Sequence, residues 1–269
     1  MKFFLLLFGL ICAQISSVYA NVVVTSKPLY FIIAPLIKEI DTPKILVSHG
    51  HCGHHHHLRP SEIKLIKNAT LVFWSGPVHE PFMAKIIRVN NNNIKVFEEN
   101  KGFAWLSIGI ILKKLPMLTA RLKKIYPQKV HAQIDANALK FQQKLINLSK
   151  KISLDLSTLK TKAFLITYPF LSYFAKEYGI NIVGYMMDSP DAAVTPRRLK
   201  SIYKLLEEKE ITGVIKDHHV PLNVIHTVVG NQCSRILTVD PEAINVPVSI
   251  DGYHILIERI TQSIVKWAQ

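Results

Sequence analysis

Half of the histidines in this chain lie in one short stretch. Six of the twelve fall within residues 49–57, where the sequence reads HGHCGHHHH. Neutral imidazole and thiolate are ligands that zinc and its neighbouring metals prefer, and the two glycines allow several rings to turn towards one ion. The stretch therefore predicts a metal site, and the candidate ligands are His51, Cys52, His54, His55, His56 and His57.

A second interpretation of the same stretch stays open. A histidine run in a loop can be a solvated tract that binds metal without a defined geometry. The run is internal rather than terminal, which argues against a purification tag, and a cysteine interrupts it. Both observations favour a specific metal site over a solvated tract.

Length and composition limit the classes of protein that remain. The 269 residues suffice for one large or two ordinary domains, and a hydrophobic content of 49% excludes a disordered chain. The formal net charge of +14 raises nucleic acid or an anionic membrane as partners. The basic residues are scattered singly or in pairs and match no nucleic-acid-binding motif, so we predict a solvated basic surface and no nucleic-acid partner.

The first twenty residues have the pattern of a secretory signal peptide. Lys2 precedes a mostly apolar segment, residues 3–15, and Ala20 supplies the small residue at the cleavage position. A lipoprotein anchored through Cys12 is the alternative, but the bulky Ile11 stands where a lipobox needs a small residue. We therefore expect export. Cys52 and Cys233 remain in the mature chain, and a disulfide, a metal-bound thiolate and a buried thiol all stay open for them.

Short β-rich segments alternate with helical patterns in both halves of the chain. Strands are predicted at 22–25, 44–47 and 71–74, and again at 163–167, 181–185, 213–215 and 235–239. This alternation predicts parallel sheets with right-handed crossovers. The histidine stretch follows the second strand, at the end of the sheet where open α/β proteins bind ligands.

The middle of the chain is helical, with patterns at 107–126 and 129–156. At 1.5 Å per residue the second helix would be about 40 Å long, which suits a strut between two lobes, although a surface helix on one domain has the same pattern. We predict a signal peptide at 1–20, an α/β lobe at 21–127, a linking helix at 128–157 and a second α/β lobe at 158–269.

Several short motifs occur in an order that resembles a known family. They cover nearly the whole mature chain: residues 24–29, His54 four residues before the segment 58–61, residues 71–77, 105–107, 173–174, 178–179, 195–196 and 239–241. Together they resemble the metal-binding proteins of bacterial zinc and manganese ABC importers, and most closely the zinc-uptake solute-binding protein family. The resemblance implies two α/β lobes, each with a parallel sheet flanked by helices, bridged by one long rigid helix.

The resemblance also implies a metal site between the lobes with one ligand from each of four segments. His54 and Asp240 take two of these positions, and Phe103 and Tyr168 take the other two. Phenylalanine cannot bind a metal, and neutral tyrosine, whose pKa is ordinarily near 10, is a poor zinc ligand. Replacement donors would be His55, His56, His57 and Cys52, together with Asp217, His218, His219 and His79.

The function implied is that of a periplasmic solute-binding protein. It would act as a monomer, capture a divalent metal, zinc before manganese, and deliver it to the membrane permease of an ABC importer. The alternative is a diverged paralogue that acts as a periplasmic metal buffer or surface-interaction protein without transport. The chain has no metalloprotease helix, nucleophile elbow or phosphate-binding loop, so we predict no enzyme activity.

Overall fold

The structure is a computed structural model, and it describes residues 20–47, 56–87, 94–97, 103–230 and 235–269. Several predictions lie outside these residues. They concern the signal peptide apart from Ala20, the histidine-stretch residues His51, Cys52, His54 and His55, and Cys233.

A four-stranded parallel sheet forms the first half of the molecule. Its strands are β1 (Val22–Val24), β2 (Lys44–Ile45), β3 (Leu71–Trp74) and β4 (Ile94–Val96), in the order β2-β1-β3-β4. The helices of this half are α1 (Lys27–Ile33), α2 (Pro60–Lys67) and α3 (Ala84–Ile87). Successive strand residues alternate between two cores, since Val22 and Val24 join the main core and Val23 joins a smaller one.

Two amphipathic helices follow the first sheet. They are α4 (Ile108–Ile125) and α5 (His131–Asp155). The buried residues of α5, among them Ile134, Phe141 and Leu148, recur at helical spacing and face the main core. The side chain of Asn137 donates to the carbonyls of Leu36 and Lys38, at 3.3 and 2.9 Å, and so fastens α5 to the first half.

A second four-stranded parallel sheet repeats the strand order of the first. Its strands are β5 (Ala163–Ile166), β6 (Asn181–Tyr185), β7 (Ile211–Lys216) and β8 (Ile236–Thr238), in the order β6-β5-β7-β8. Its helices are α6 (Ser172–Tyr178), α7 (Pro196–Glu208), α8 (Leu222–Val229) and α9 (Gly252–Ala268). The C-cap Gly179 has a φ of 71°, a left-handed conformation that glycine adopts without strain, and it ends α6.

The main hydrophobic core is continuous from the first sheet to the second. Between α1 and α9 the packing is close, since a Cβ placed on Gly252 would lie 2.2 Å from the ring of Phe31. The ammonium group of Lys27 donates to the carbonyls of Ala243, Ile244 and Val246, at 3.2, 2.8 and 3.3 Å. The two halves are therefore held together by both apolar packing and charge-assisted hydrogen bonds.

This architecture confirms the predicted fold class, with two parallel sheets flanked by helices and one long helix. The sequence pattern missed β4, which follows a run of asparagines at residues 90–93, and the one-turn helix α3. The helix α1 ends at Ile33, and the chain continues as a 3₁₀ turn over Ala34–Ile37. In the described part of the chain, no helix has the length and apolar character that crossing a membrane requires.

Candidate functional site

The second sheet has a point between β5 and β7 where its connections diverge. From β5 the chain crosses to β6 on one side, and β7 lies on the other side. Such a switch point leaves a crevice at the carboxyl ends of the strands. Thr167 is held there because its N–H donates to Ile215 O at 3.2 Å and its carbonyl accepts from Met187 N at 2.9 Å. The next residue, Tyr168, is therefore placed beside the end of β7.

Four polar side chains meet in this crevice, and we call them the cleft cluster: Tyr168, Asp217, His219 and Glu242. The hydroxyl of Tyr168 donates to Asp217 Oδ2, and the backbone N–H of His219 donates to Asp217 Oδ1 at 3.1 Å. The Nε2 atom of His219 lies 2.8 Å from Glu242 Oε2 and 3.8 Å from Asp217 Oδ2. One imidazole thus lies between two carboxylates.

Burial differs among the members of the cleft cluster. Tyr168 and Asp217 are buried, whereas the side chains of His219 and Glu242 are each 17% exposed. Beside them, desolvation lowers the pKa of Lys216, whose ammonium group donates to the carbonyl of Asp217. The inner two residues can therefore orient His219, while His219 and Glu242 remain within reach of a solute.

An aromatic wall separates the cleft cluster from the first sheet. Phe103 stacks on Trp105 with ring centroids 4.5 Å apart and meets Tyr168 edge to face at 6.4 Å. His79 packs edge-on against Phe103 and Trp105, at 4.9 and 5.2 Å. The indole N–H of Trp105 donates to Pro241 O at 2.9 Å, which ties the wall to the loop after β8. Phe103 therefore serves packing at a position where the resemblance implies a ligand.

The switch point of the first sheet, between β1 and β3, is closed by the buried carboxylate of Glu80. Gly76 has a φ of 119°, which lets the chain turn back after β3. The carboxylate of Glu80 then accepts from Ser75 N at 3.1 Å and from the side chain of Thr25, and burial raises the pKa of Glu80 to about 7. Glu80 is only 4% exposed, so this group stabilises the loop rather than facing the cleft.

Two of the predicted ligands in the described residues already have structural partners. His56 is buried, with Nε2 3.0 Å from Glu62 Oε2, and its ring packs on Phe82. Asp240 accepts from Ile244 N at 2.8 Å and from Asn245 N at 2.7 Å, so its carboxylate shapes the loop after β8.

The structure brings together only part of the predicted ligand set. His57 is exposed, and His218 is exposed beside Asp240 in a separate depression. Tyr168 joins the cleft cluster, together with the replacement donors Asp217 and His219.

Glu242 is the member of the cleft cluster that sequence reasoning missed. The feature of the sequence that could have identified Glu242 is its position two residues after Asp240, in the loop that follows a parallel strand. Within residues 20–47, 56–87, 94–97, 103–230 and 235–269, no three histidine, cysteine, aspartate or glutamate side chains are arranged to hold a metal ion. The cleft cluster would thus need a further ligand.

Comparisons with known proteins agree on one family. The family model described as zinc-uptake complex component A, periplasmic, matches residues 22–267. The high-affinity zinc uptake system protein ZnuA of Brucella abortus is 22% identical over 301 aligned positions, which cover 91% of this chain and 90% of that protein. The protein of the same name from Yersinia pestis is 22% identical, covering 92% of this chain and 91% of its own.

Solved structures show the same fold. The laminin-binding protein of Streptococcus agalactiae, titled a bifunctional adhesin and metal transporter, superposes with a TM-score of 0.78 at 16% identity, covering 93% of this chain and all of its own. A crystal structure titled ZnuA gives a TM-score of 0.74 at 16% identity, covering 93% of this chain and 99% of that one. The manganese complex of FpvC from Pseudomonas aeruginosa gives 0.78 at 15% identity, covering 93% and 98%.

Proposed function

We propose that this chain, which belongs to the family of the periplasmic zinc-uptake complex component A, captures Zn²⁺. It then hands the ion to the membrane permease of an ABC importer. Its first twenty residues would direct export to the periplasm and be removed after Ala20. Members of this family are components of a transport system rather than enzymes. Membership in it therefore does not favour the alternative, a metal buffer without transport.

The observation that carries the proposal is the pair formed by His219 and Glu242 in the cleft cluster. Zinc binds nitrogen and carboxylate oxygen at about 2.0–2.2 Å, so two ligands of a tetrahedral site lie about 3.4 Å apart. The observed 2.8 Å between Nε2 and Oε2 is close to that separation. A small outward shift of either side chain would admit the ion, provided that Nε2 of His219 carries no hydrogen when it binds.

The remaining ligands are proposed to come from the histidine stretch. An imidazole donor suits zinc better than manganese, which prefers oxygen ligands such as carboxylates, carbonyls and water. The candidates remain His51, Cys52, His54, His55, His56 and His57. Of these, His56 would first have to leave Glu62 Oε2, which lies 3.0 Å from its Nε2 atom.

Three further residues would position the ligands rather than touch the ion. Tyr168 donates to Asp217, which in turn accepts from the backbone N–H of His219 and so fixes the main chain that carries the imidazole. Asp240 holds the amides of Ile244 and Asn245, and this shapes the loop that carries Glu242. Asp240 is thus proposed as a support for that loop, although the resemblance implies that it is a ligand.

Zinc titration of the mature protein against a competing chelator tests this proposal. We expect His219→Ala, Glu242→Gln and a variant with His54 to His57 all changed to alanine each to weaken binding by about 100-fold or more. His226→Ala, which removes an exposed histidine from α8, is the matched control and should bind zinc as the parent does.

Different failures of this experiment have different meanings. Loss of zinc affinity only in the variant lacking His54 to His57 would place the ion outside the cleft cluster. Unchanged affinity in all the variants would place the ion away from both groups of residues, and a parent protein that does not bind zinc would overturn the metal-capture function itself.

A further inference from the structure

The helix α4 carries an unbalanced charge. It contains five basic residues, Lys113, Lys114, Arg121, Lys123 and Lys124, and no acidic residue. The helix α5 has four lysines and two aspartates, and its Lys144 and Lys151 pair with Asp251, the N-cap of α9, and with Glu258 of α9. The positive charge on α5 is thus partly neutralised within the protein, whereas most of the charge on α4 is not.

Three of the five cations on α4 form one row along its outer side. Lys123 pairs with Asp135 at 2.7 Å, and Lys114 lies over the ring of Phe97. The other three, Lys113, Arg121 and Lys124, we call the basic row. Among the described residues, no carboxylate lies within 4.0 Å of their charged groups.

Helical geometry places the basic row on one side of α4. At 100° per residue its members fall within about 80° around the helix axis, and they extend over about 17 Å. Lys113 and Lys124 are exposed and Arg121 is partly exposed. The opposite side of the helix, with Ile111, Leu118 and Leu122, is buried in the main core. The row therefore faces outward on a helix whose apolar side is already covered.

A shallow apolar groove lies beside the basic row, between α4 and α5. Its apolar lining comes from Leu112, Pro116 and Ala120 of α4 and from Ala138 and Leu139 of α5, and the Lys123–Asp135 ion pair also borders it. Leu139 stands at its rim with 66% of its surface exposed. A row of cations next to exposed apolar side chains suits a partner with dense negative charge above a hydrocarbon layer.

We infer that the basic row is a docking surface for a membrane that contains anionic phospholipids. The row contacts the headgroup phosphates, and Leu139 reaches the boundary between headgroups and acyl chains. Binding of this kind is peripheral and reversible, since three cations and one leucine supply far less attraction than an inserted helix. Its consequence is a higher concentration of the protein at a membrane surface, and it does not depend on metal binding.

Sedimentation with lipid vesicles tests the inference. The mature protein is expected to bind vesicles of phosphatidylethanolamine with phosphatidylglycerol, to release them at high ionic strength, and to ignore vesicles of phosphatidylcholine. The double variant Lys113→Glu with Lys124→Glu should bind at least about 25-fold more weakly, which corresponds to ~1 kcal/mol for each basic residue lost from the surface.

A matched control separates position from total charge. Lys200→Glu with Lys209→Glu makes the same change in net charge at two exposed positions, one on α7 and one at its C-cap, and it should bind the anionic vesicles as the parent does. Equal weakening by both double variants would overturn the inference, as would binding that is insensitive to salt or to lipid charge.

Two further readouts keep the result independent of folding and of the proposed function. The Lys113→Glu with Lys124→Glu variant should keep the parent's unfolding midpoint and zinc affinity. A parent that binds zinc but not anionic vesicles, even at low ionic strength, would refute the docking surface and leave metal capture intact. An acidic protein partner would then be the better match for the row.

Discussion

The two sheets have the same strand order, yet their switch points serve different purposes. In the first sheet, Glu80 turns inward to Ser75 and Thr25 and is closed off from solvent. In the second, His219 and Glu242 remain partly exposed at the corresponding edge. Topology therefore determines where a crevice forms, and the side chains that follow the strands decide whether the crevice is filled or presented to a ligand.

The boundary between these two regions is aromatic. Phe103 contacts His79 and Trp105 on one side and Tyr168 and Phe170 on the other. It is 1% exposed. A ring in this position both fills the space where the family resemblance implies a ligand and keeps water away from the inner part of the cleft cluster. Three predictions test how separate the two switch points are.

The largest effect is expected from Phe103→Ala. Removing a buried phenylalanine leaves a cavity at the boundary and should lower the free energy of unfolding by about 3–5 kcal/mol. Chemical denaturation measures this change, and Phe103→Leu, which keeps most of the apolar volume, should lose less than half as much. A loss below about 1 kcal/mol for Phe103→Ala would mean that the ring is not packed between the two regions as described.

The second prediction concerns the closed switch point. Burial raises the pKa of Glu80 from 4.5 to about 7, so the folded protein keeps a proton that the unfolded chain has lost between these values. The free energy of unfolding should therefore fall as the pH rises through this window, by about 3 kcal/mol in total. Glu80→Gln imitates the protonated side chain and should remove this contribution to the pH dependence.

Denaturation at a series of pH values measures the effect of Glu80→Gln. The variant and the parent should be equally stable below pH 4.5, and the variant should become the more stable one above about pH 7. Zinc affinity should not change, because Glu80 faces away from the cleft cluster. A difference between the two proteins that is independent of pH would contradict the buried, protonated state of Glu80.

The smallest effect is expected from Asp240→Asn. The amide oxygen can replace only one of the two acceptors that serve Ile244 and Asn245, so the free energy of unfolding should fall by about 1 kcal/mol. Zinc affinity should change far less than in His219→Ala, which is measured alongside it. Equal weakening of zinc binding by both variants would assign Asp240 to the ion, as the resemblance implies.

Much of the fold could be predicted from local patterns. The strand at 181–185 was correctly located because its pattern depends only on neighbouring residues. The alternation of strands and helices also predicted the two parallel sheets. The strand β4 was not predicted, because the asparagines at residues 90–93 that precede it are typical of a loop.

The candidate site was less predictable. Asp217 and His219 could be named as replacement donors because they follow a predicted strand, but nothing local indicated that Tyr168 donates to Asp217. Glu242 lies 23 residues after His219 in the chain, and only the pairing of β7 with β8 brings them to 2.8 Å.

The sequence alone determined the class of fold and the chemistry available to this protein, because hydrophobic period, caps and residue type are properties of short segments. It supplied the imidazoles, the carboxylates and the basic helix α4. Only the tertiary structure decided which carboxylate is buried, which lies beside an imidazole and which cations remain unpaired. These properties depend on contacts between residues far apart in the chain, and packing, not local preference, fixes their distances.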